Sequence, residues 1–346
     1  MKVRSALCRG LVIPAHPLAL RASRRIDEGR QRALTRYYLD AGAGGLAVGV
    51  HTTQFAIHEP ARGMLRPVLH LAMETAREWK ARAHSPVMIA GVVGRTRQAV
   101  REATLARDLG YDAALLGFGG LAGATDSRLI AHARAVASVI PVMGFYLQPA
   151  VGGRPLGYRF WRRFAEIDNV VAIKIAPFDR YATLDVVRAV FGSGRSREIA
   201  LYTGNDDHIL LDLLTRFKSG PGRPATIVGG LLGHWAFWTR TAVAHHRLCR
   251  ETVVARRPVP ARLLTLAAAV TDANGAIFDA ANGFHGCVPG IHEILRRQGL
   301  LAGRWCLDRD EDLSAGQLAE IDRVCRAYPR LADDTFVRNG LDRWMN

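Results

Sequence analysis

Lysine is scarce in this chain. There are 47 basic residues against 31 acidic ones, a formal charge of +16, yet only Lys2, Lys80, Lys174 and Lys218 are lysines and the other 43 are arginines. The arginines are spread along the whole sequence, and the densest groupings are pairs such as Arg24-Arg25, Arg162-Arg163 and Arg256-Arg257. A nucleic-acid partner calls for a basic tract or face, so the charge reads as a preference for arginine and no nucleic-acid partner is expected. Cysteine is sparse too: Cys8, Cys249, Cys287, Cys306 and Cys325 make an odd number with no CxxC pair. That pattern fits free thiols in a reducing cytoplasm. No run approaches the ~18 apolar residues that a membrane helix needs, and the N-terminus lacks a signal peptide's apolar region. No membrane partner and a cytoplasmic location are therefore expected. With 49% apolar residues and 8% aromatics the chain is ordinary globular material. Its 346 residues allow one domain of roughly 200–250 residues plus an appendage.

Short apolar runs recur at Gly10–Pro14, Gly44–Val50, Val87–Val93, Ala113–Phe118, Pro141–Leu147, Val170–Ala176, Ile199–Gly204 and Thr226–Gly230. Amphipathic stretches lie between them, among them Asp27–Asp40, Arg97–Leu109, Thr183–Val190 and Asp206–Phe217, the last followed by a Ser219-Gly220-Pro221-Gly222 loop. Eight strands alternating with helices predict a (βα)8 TIM barrel over residues 1–255, with a doubly wound open sheet as the alternative. After a helix at Trp235–Arg250 and a proline-bearing linker at Arg256–Pro260, only helical patterns follow (Ala261–Ala280, Gly290–Gln298, Ser314–Ala327). Residues 256–346 are expected to form a C-terminal helical subdomain.

One lysine sits where a charge is costly. Val170-Val171-Ala172-Ile173-Lys174-Ile175-Ala176 otherwise reads as a buried strand. A buried ammonium must be paired or lose its proton, and the neutral amine is the form that attacks carbonyls. Alternation places Ala172, Lys174 and Ala176 on one face, and Val171, Ile173 and Ile175 on the other. If the bulky set meets the outer helices, Lys174 points into the barrel; a structural lysine bridging carboxylates is the plainer alternative. Strand five ends Gly144-Phe145-Tyr146-Leu147-Gln148-Pro149, with Tyr146 sharing a face with Gly144 and Val142. A phenol there is a proton shuttle or core filler. Strand two ends His51-Thr52-Thr53-Gln54, a turn able to hold a carboxylate or merely to cap a helix. Strand seven ends Thr203-Gly204-Asn205-Asp206-Asp207-His208, where Asp206 either caps the next helix or binds substrate hydroxyls. Gly230 in strand eight allows close approach of backbone to a ligand or tight packing.

These residues together resemble the dihydrodipicolinate synthase / N-acetylneuraminate lyase family of class I aldolases, over roughly residues 8–250. Val171-Ala172-Ile173-Lys174 resembles the family's Schiff-base strand, Tyr146 with Pro149 its tyrosine-x-x-proline motif, and His51-Thr52-Thr53-Gln54 its Gly-Thr-Thr-Gly-Glu motif. The resemblance implies an imine on Lys174, a proton relay through Tyr146 and Thr52, and a carboxylate held by Thr53. It also implies a homo-oligomer, dimer or tetramer. Three departures stand out. The motif's glycines and glutamate are replaced around Thr52 and Thr53. Where the synthase has a tyrosine pair, one of which completes a neighbour's relay, this chain has Gly117-Phe118-Gly119-Gly120. The synthase's second-substrate arginine aligns with Val151, with Arg154 as a substitute three residues on. They point away from an authentic dihydrodipicolinate synthase, and the strand-seven end looks closer to the sugar-acid lyases.

The expected activity is metal-independent C–C cleavage or condensation of a 2-keto acid through a Lys174 imine. Lys174, Tyr146 and Thr52 are the catalytic candidates. His51, Thr53, Gly204, Asn205, Asp206 and Gly230 are the substrate-binding candidates, with no metal and no organic cofactor. Dehydration or decarboxylation through the same imine stays open, as does a non-catalytic keto-acid-binding role. Metal-dependent aldol chemistry on His51, Asp206, His208 and His234 is the rival mechanism, although no tight ligand spacing joins them.

Overall fold

The computed structural model describes residues 2–79, 85–218 and 224–346; Lys80 and the Ser219–Gly222 loop lie outside these. Eight parallel strands form the barrel: β1 (Val12–Pro14), β2 (Gly45–Val48), β3 (Val87–Val92), β4 (Ala113–Leu116), β5 (Val142–Leu147), β6 (Val170–Ala176), β7 (Ala200–Thr203) and, after a two-residue strand β8 (Arg216–Phe217), β9 (Ala225–Leu232). Their spatial order is β1-β9-β7-β6-β5-β4-β3-β2. A parallel bridge between Ala15 and Ala47 brings the first and last together, supported by His16 N donating to the Ala47 carbonyl at 2.8 Å. The sheet therefore closes into a (βα)8 barrel rather than an open doubly wound sheet.

Helix ends follow their local chemistry. The helix Glu28–Ala41 starts where Asp27 accepts from Arg30 N and stops at Gly42 in the left-handed conformation (φ 107°). Thr125 and Asp179 cap two further helices in the same way. Two expected helices are shorter or displaced. The segment expected as Asp206–Phe217 is helical only over Ile209–Leu214. Its first residues are held elsewhere, because the Asp206 and Asp207 carbonyls accept from Asn274 and Thr271, and Arg216–Phe217 pairs antiparallel with β9. The helix expected at Trp235–Arg250 runs Thr239–Val254, because Trp238 takes φ 52° and breaks the turn before it. A helix not expected, Lys2–Arg9, inserts buried Leu7 among the inward side chains of the barrel.

Two apolar layers result. The outer one lies between strands and helices and includes Val142, Tyr146, Ile173 and Ile175; the inner one includes Met143, Phe145, Ala172 and Ala176. Val171, expected outside, belongs to the inner layer. A register shift pairs Val142 with Val170 but Met143 with Ala172, so Val171 is an extra residue that breaks the alternation there. After Leu232 the described residues form only helices. Asn274 on the helix Ala261–Ile277 and residues 278–287 reach the mouth of the barrel.

Candidate active site

Inward residues at the C-terminal ends of the strands meet in a cavity of about 50 Å³. Its wall contains Lys174 and Ala176 from β6, Phe145 and Leu147 from β5, His51 and Thr52 after β2, Gly204 and Asp206 after β7, and Gly233 after β9. Lys174 is 7% exposed. It makes no ion pair with any described residue, and its Nζ lies 4.2 Å from the centroid of the Phe145 ring. Gly204 makes room for it: a Cβ there would sit 2.5 Å from Lys174 Cε. Burial pulls the Lys174 ammonium down to about 8, with the Asp206 charge opposing the shift. Burial pushes the Asp206 carboxyl up to about 7, against the backbone amide of His234 and the Lys174 charge. Burial and the Lys174 charge both lower His51, to about 4. The amine and the carboxyl thus titrate within reach of neutrality, and the imidazole is neutral there.

Asp206 is not the helix cap that the sequence allowed. The cap position is His208, without a side-chain bond, whereas Asp206 Oδ1 accepts from His234 N at 2.9 Å. That bond joins the loops after β7 and β9 and fixes the carboxyl at the cavity.

Four expectations are corrected by the geometry. Tyr146 lies on the outer face of β5. Its ring packs on Trp161 at 5.3 Å, and its hydroxyl accepts from Leu156 N at 3.2 Å. Gly144 two residues earlier also faces outward, since a Cβ there would strike Phe164 and Trp161, and the residue beside the lysine is Phe145. Thr53 is fully buried and spent on its own turn. Its hydroxyl donates to the His16 carbonyl and accepts from Gly49 N, and its amide donates to the Val50 carbonyl. Asn205 faces away from the cavity. It donates to Asp212 and accepts from Phe178 N, and so sets the place of Phe178, which roofs the cavity. Gly230 faces the outer layer, where a Cβ would meet Leu232 and Trp235.

Thr52 does line the cavity, but its hydroxyl proton is committed to the Ala15 carbonyl at 2.8 Å, which leaves lone pairs for a ligand. Arg154 is tied to the carbonyls of Leu121 and Ala124 and is not free to hold a substrate carboxylate. His234 bonds Asn274, and His208 bonds Asp212. Among the described residues no group of three or more His, Cys, Asp or Glu side chains is placed to share a metal ion.

Several wall residues carry no motif in the sequence: Gln148, Phe178, Phe278, Phe284 and Cys287. Phe178 and Phe284 hold left-handed backbones (φ 54° and 69°), strained for aromatic residues. Their rings meet edge to face at 5.5 Å across the mouth. Burial keeps the Cys287 thiol protonated. Outside, a vestibule of about 720 Å³ shares His51 and Val151 with the cavity. At ~10–15 Å³ per water, the cavity of about 50 Å³ has room for roughly three to five waters, which approaches the six non-hydrogen atoms of a three-carbon keto acid.

The sequence model of the dihydrodipicolinate synthetase family matches residues 11–231. No curated protein sequence matches the chain. Among solved structures, the chain is similar to dihydrodipicolinate synthase from Cyanidioschyzon merolae with lysine bound, at 20% identity and TM-score 0.75, covering 93% of this chain and 99% of that one. A prophage protein of the dihydrodipicolinic acid synthase family from E. coli K12, in complex with pyruvate, aligns at 18% identity and TM-score 0.74 over 93% and 98% of the two chains. N-acetylneuraminate lyase from Fusobacterium nucleatum aligns at 16% and 0.70 over 93% and 99%. At these identities the structures speak for the fold. No helix among the described residues is long and apolar enough to cross a membrane.

Proposed function

The chain belongs to the dihydrodipicolinate synthetase family, and from that membership we propose that it is a class I lyase or aldolase that cleaves or forms a C–C bond in a 2-keto acid through an imine on Lys174. The observation that carries this reading is the buried Lys174 amine, which makes no ion pair among the described residues and is lowered to about 8 beside a cavity of roughly keto-acid size. Pyruvate bound to the similar E. coli K12 protein agrees with it.

The steps follow from what the wall offers. The neutral amine adds to the C2 ketone and gives a carbinolamine. Its hydroxyl takes a proton and leaves as water, producing an iminium at Nζ. In a 4-hydroxy-2-keto acid the C4 hydroxyl gives its proton to the Asp206 carboxylate, the electron pair of the C3–C4 bond moves to the iminium to form an enamine, and the far fragment departs as a carbonyl compound. Protonation of the enamine at C3 and hydrolysis then return the shortened keto acid and the free amine. The reverse order is condensation.

With Tyr146 facing the helices, Asp206 is the proton carrier we assign, because a carboxyl near 7 both gives and takes protons at neutral pH. The Thr52 hydroxyl, its own proton committed to Ala15, accepts from the carbinolamine hydroxyl. The Gln148 amide and the neutral His51 imidazole supply the N–H groups for the keto-acid carboxylate, in place of Thr53.

Borohydride reduction in the presence of pyruvate tests the proposal. The expected result is a covalent mass increase at Lys174, absent in Lys174→Ala. Folded protein that gives no adduct with pyruvate or any other 2-keto acid overturns it.

A further inference from the structure

Behind Phe145, on the side away from Lys174, the barrel holds a second cavity of about 280 Å³. The two cavities share Phe145 and Leu147 as a common wall, and Phe55 belongs to both this cavity and the vestibule. Val93, Phe118 and Leu156 complete its apolar lining, and the rest is largely glycine backbone after β3, β4 and β5. Its one charged lining residue, Arg154, is committed to two backbone carbonyls. No other side chain in its lining carries a polar group for hydroxyls or a second carboxylate. About 150 Å³ of apolar space suffices to bind benzene in an engineered cavity, so this one has room for a ring with a short linker.

The glycines explain the space. Gly119 and Gly120 approach the backbones of Gly152 and Gly94 too closely for any side chain. Gly117 is different: a Cβ there would meet nothing nearer than 3.9 Å, and its φ is not in the left-handed range. Neither backbone conformation nor a close neighbour requires glycine at 117, so the missing side chain adds to the space of the cavity.

We propose that this glycine-walled cavity is the subsite for an apolar substituent, an aryl or bulky alkyl group, carried on the chain of the 2-keto acid beyond C3. The inference rests on the Lys174 imine reading. It adds that the fragment released or captured is hydrophobic rather than polyhydroxylated. The ketone end sits over Lys174, and the substituent crosses the edge of Phe145 into the glycine-lined space, entering from the vestibule past Phe55.

The test compares pyruvate with 4-phenyl-2-oxobutanoate in borohydride trapping on the wild type, Gly117→Ala and Gly117→Val, with the mass in solution measured alongside. Expected is trapping of both acids by the wild type. Gly117→Val should leave half-saturation by pyruvate within about twofold and raise that for the phenyl acid at least tenfold, with Gly117→Ala between. If Gly117→Val fails to fold, the graded response of Gly117→Ala decides. Pyruvate trapping with no response of the phenyl acid to either variant overturns the subsite and leaves the imine intact. So does a change of oligomeric mass without a change of half-saturation, which would mark the cavity as a contact between copies. No adduct with either acid overturns the imine reading itself, and this inference with it.

Discussion

The amine of Lys174 faces the ring of Phe145 at 4.2 Å, and the next residue, Tyr146, turns its hydroxyl to the opposite side of the same strand. An aromatic face favours the ammonium by only about 0.5–2 kcal/mol. The charge that holds the Lys174 ammonium up against burial is that of Asp206, and the pH behaviour of the site should reveal it.

Imine formation requires the neutral amine, so the trapping rate with pyruvate should rise with pH and level off above an inflection near 8. Asp206→Asn removes the negative charge that holds the lysine up. The inflection should move to lower pH, while turnover falls by about 10²–10⁴-fold as the proton carrier is lost. Trapping between pH 5 and 10 with both proteins checks this; an unmoved inflection would separate Asp206 from the lysine.

Lys174→Met should be inactive and more stable. A lysine lowered from 10.5 to about 8 binds fewer protons in the folded than in the unfolded chain. Its burden is therefore full below about pH 8 and disappears as pH rises toward 10.5. At about 1.4 kcal/mol per pH unit it amounts to about 3 kcal/mol. Denaturant melts at pH 7 and pH 10.5 should show the gain at the first and little at the second.

Tyr146→Phe should cost about 1–2 kcal/mol of stability, because Leu156 N loses its acceptor. Trapping at Lys174 should stay within about threefold. A hundredfold loss with an unchanged melting point would return the phenol to the reaction.

Gly204→Ala should abolish trapping, since its methyl would press on the lysine side chain 2.5 Å away. Overpacking of this kind also costs about 1–3 kcal/mol. The intact-protein mass after borohydride, read beside the circular dichroism spectrum, distinguishes a blocked amine from an unfolded chain.

The barrel and the lysine were legible because each rests on a repeated local signal. Buried parallel strands are continuous apolar runs, and a lysine inside one has few explanations. The facing of Tyr146 was harder to read. Alternation groups Tyr146 with Gly144 but cannot say which side of the sheet the pair takes. The clue lay in the aromatic helix Tyr158–Phe164: two of its bulky rings, Trp161 and Phe164, need a small residue beneath them, and Gly144 is the one that fits. Val171 escaped for another reason, since an extra residue in a strand leaves no mark on composition or period. Phe178, Phe278, Phe284 and Cys287 come from loops and helices whose meeting over the barrel is a tertiary event. Thr53 shows the reverse case, a motif residue whose donors are consumed by the turn that displays it.

The helix Lys2–Arg9 fixes the order of traffic. Leu7 fills the bottom of the barrel, and Tyr202 fastens it there by donating to the Leu7 carbonyl and accepting from Leu11 N. A vessel stoppered at one end has a single doorway, so whatever reaches the bottom first leaves last. On the proposed imine reading, the three-carbon end has to settle on Lys174 before a larger partner stands in the opening. Condensation on that reading would be sequential, and a surplus of the carbonyl partner would slow it instead of hastening it.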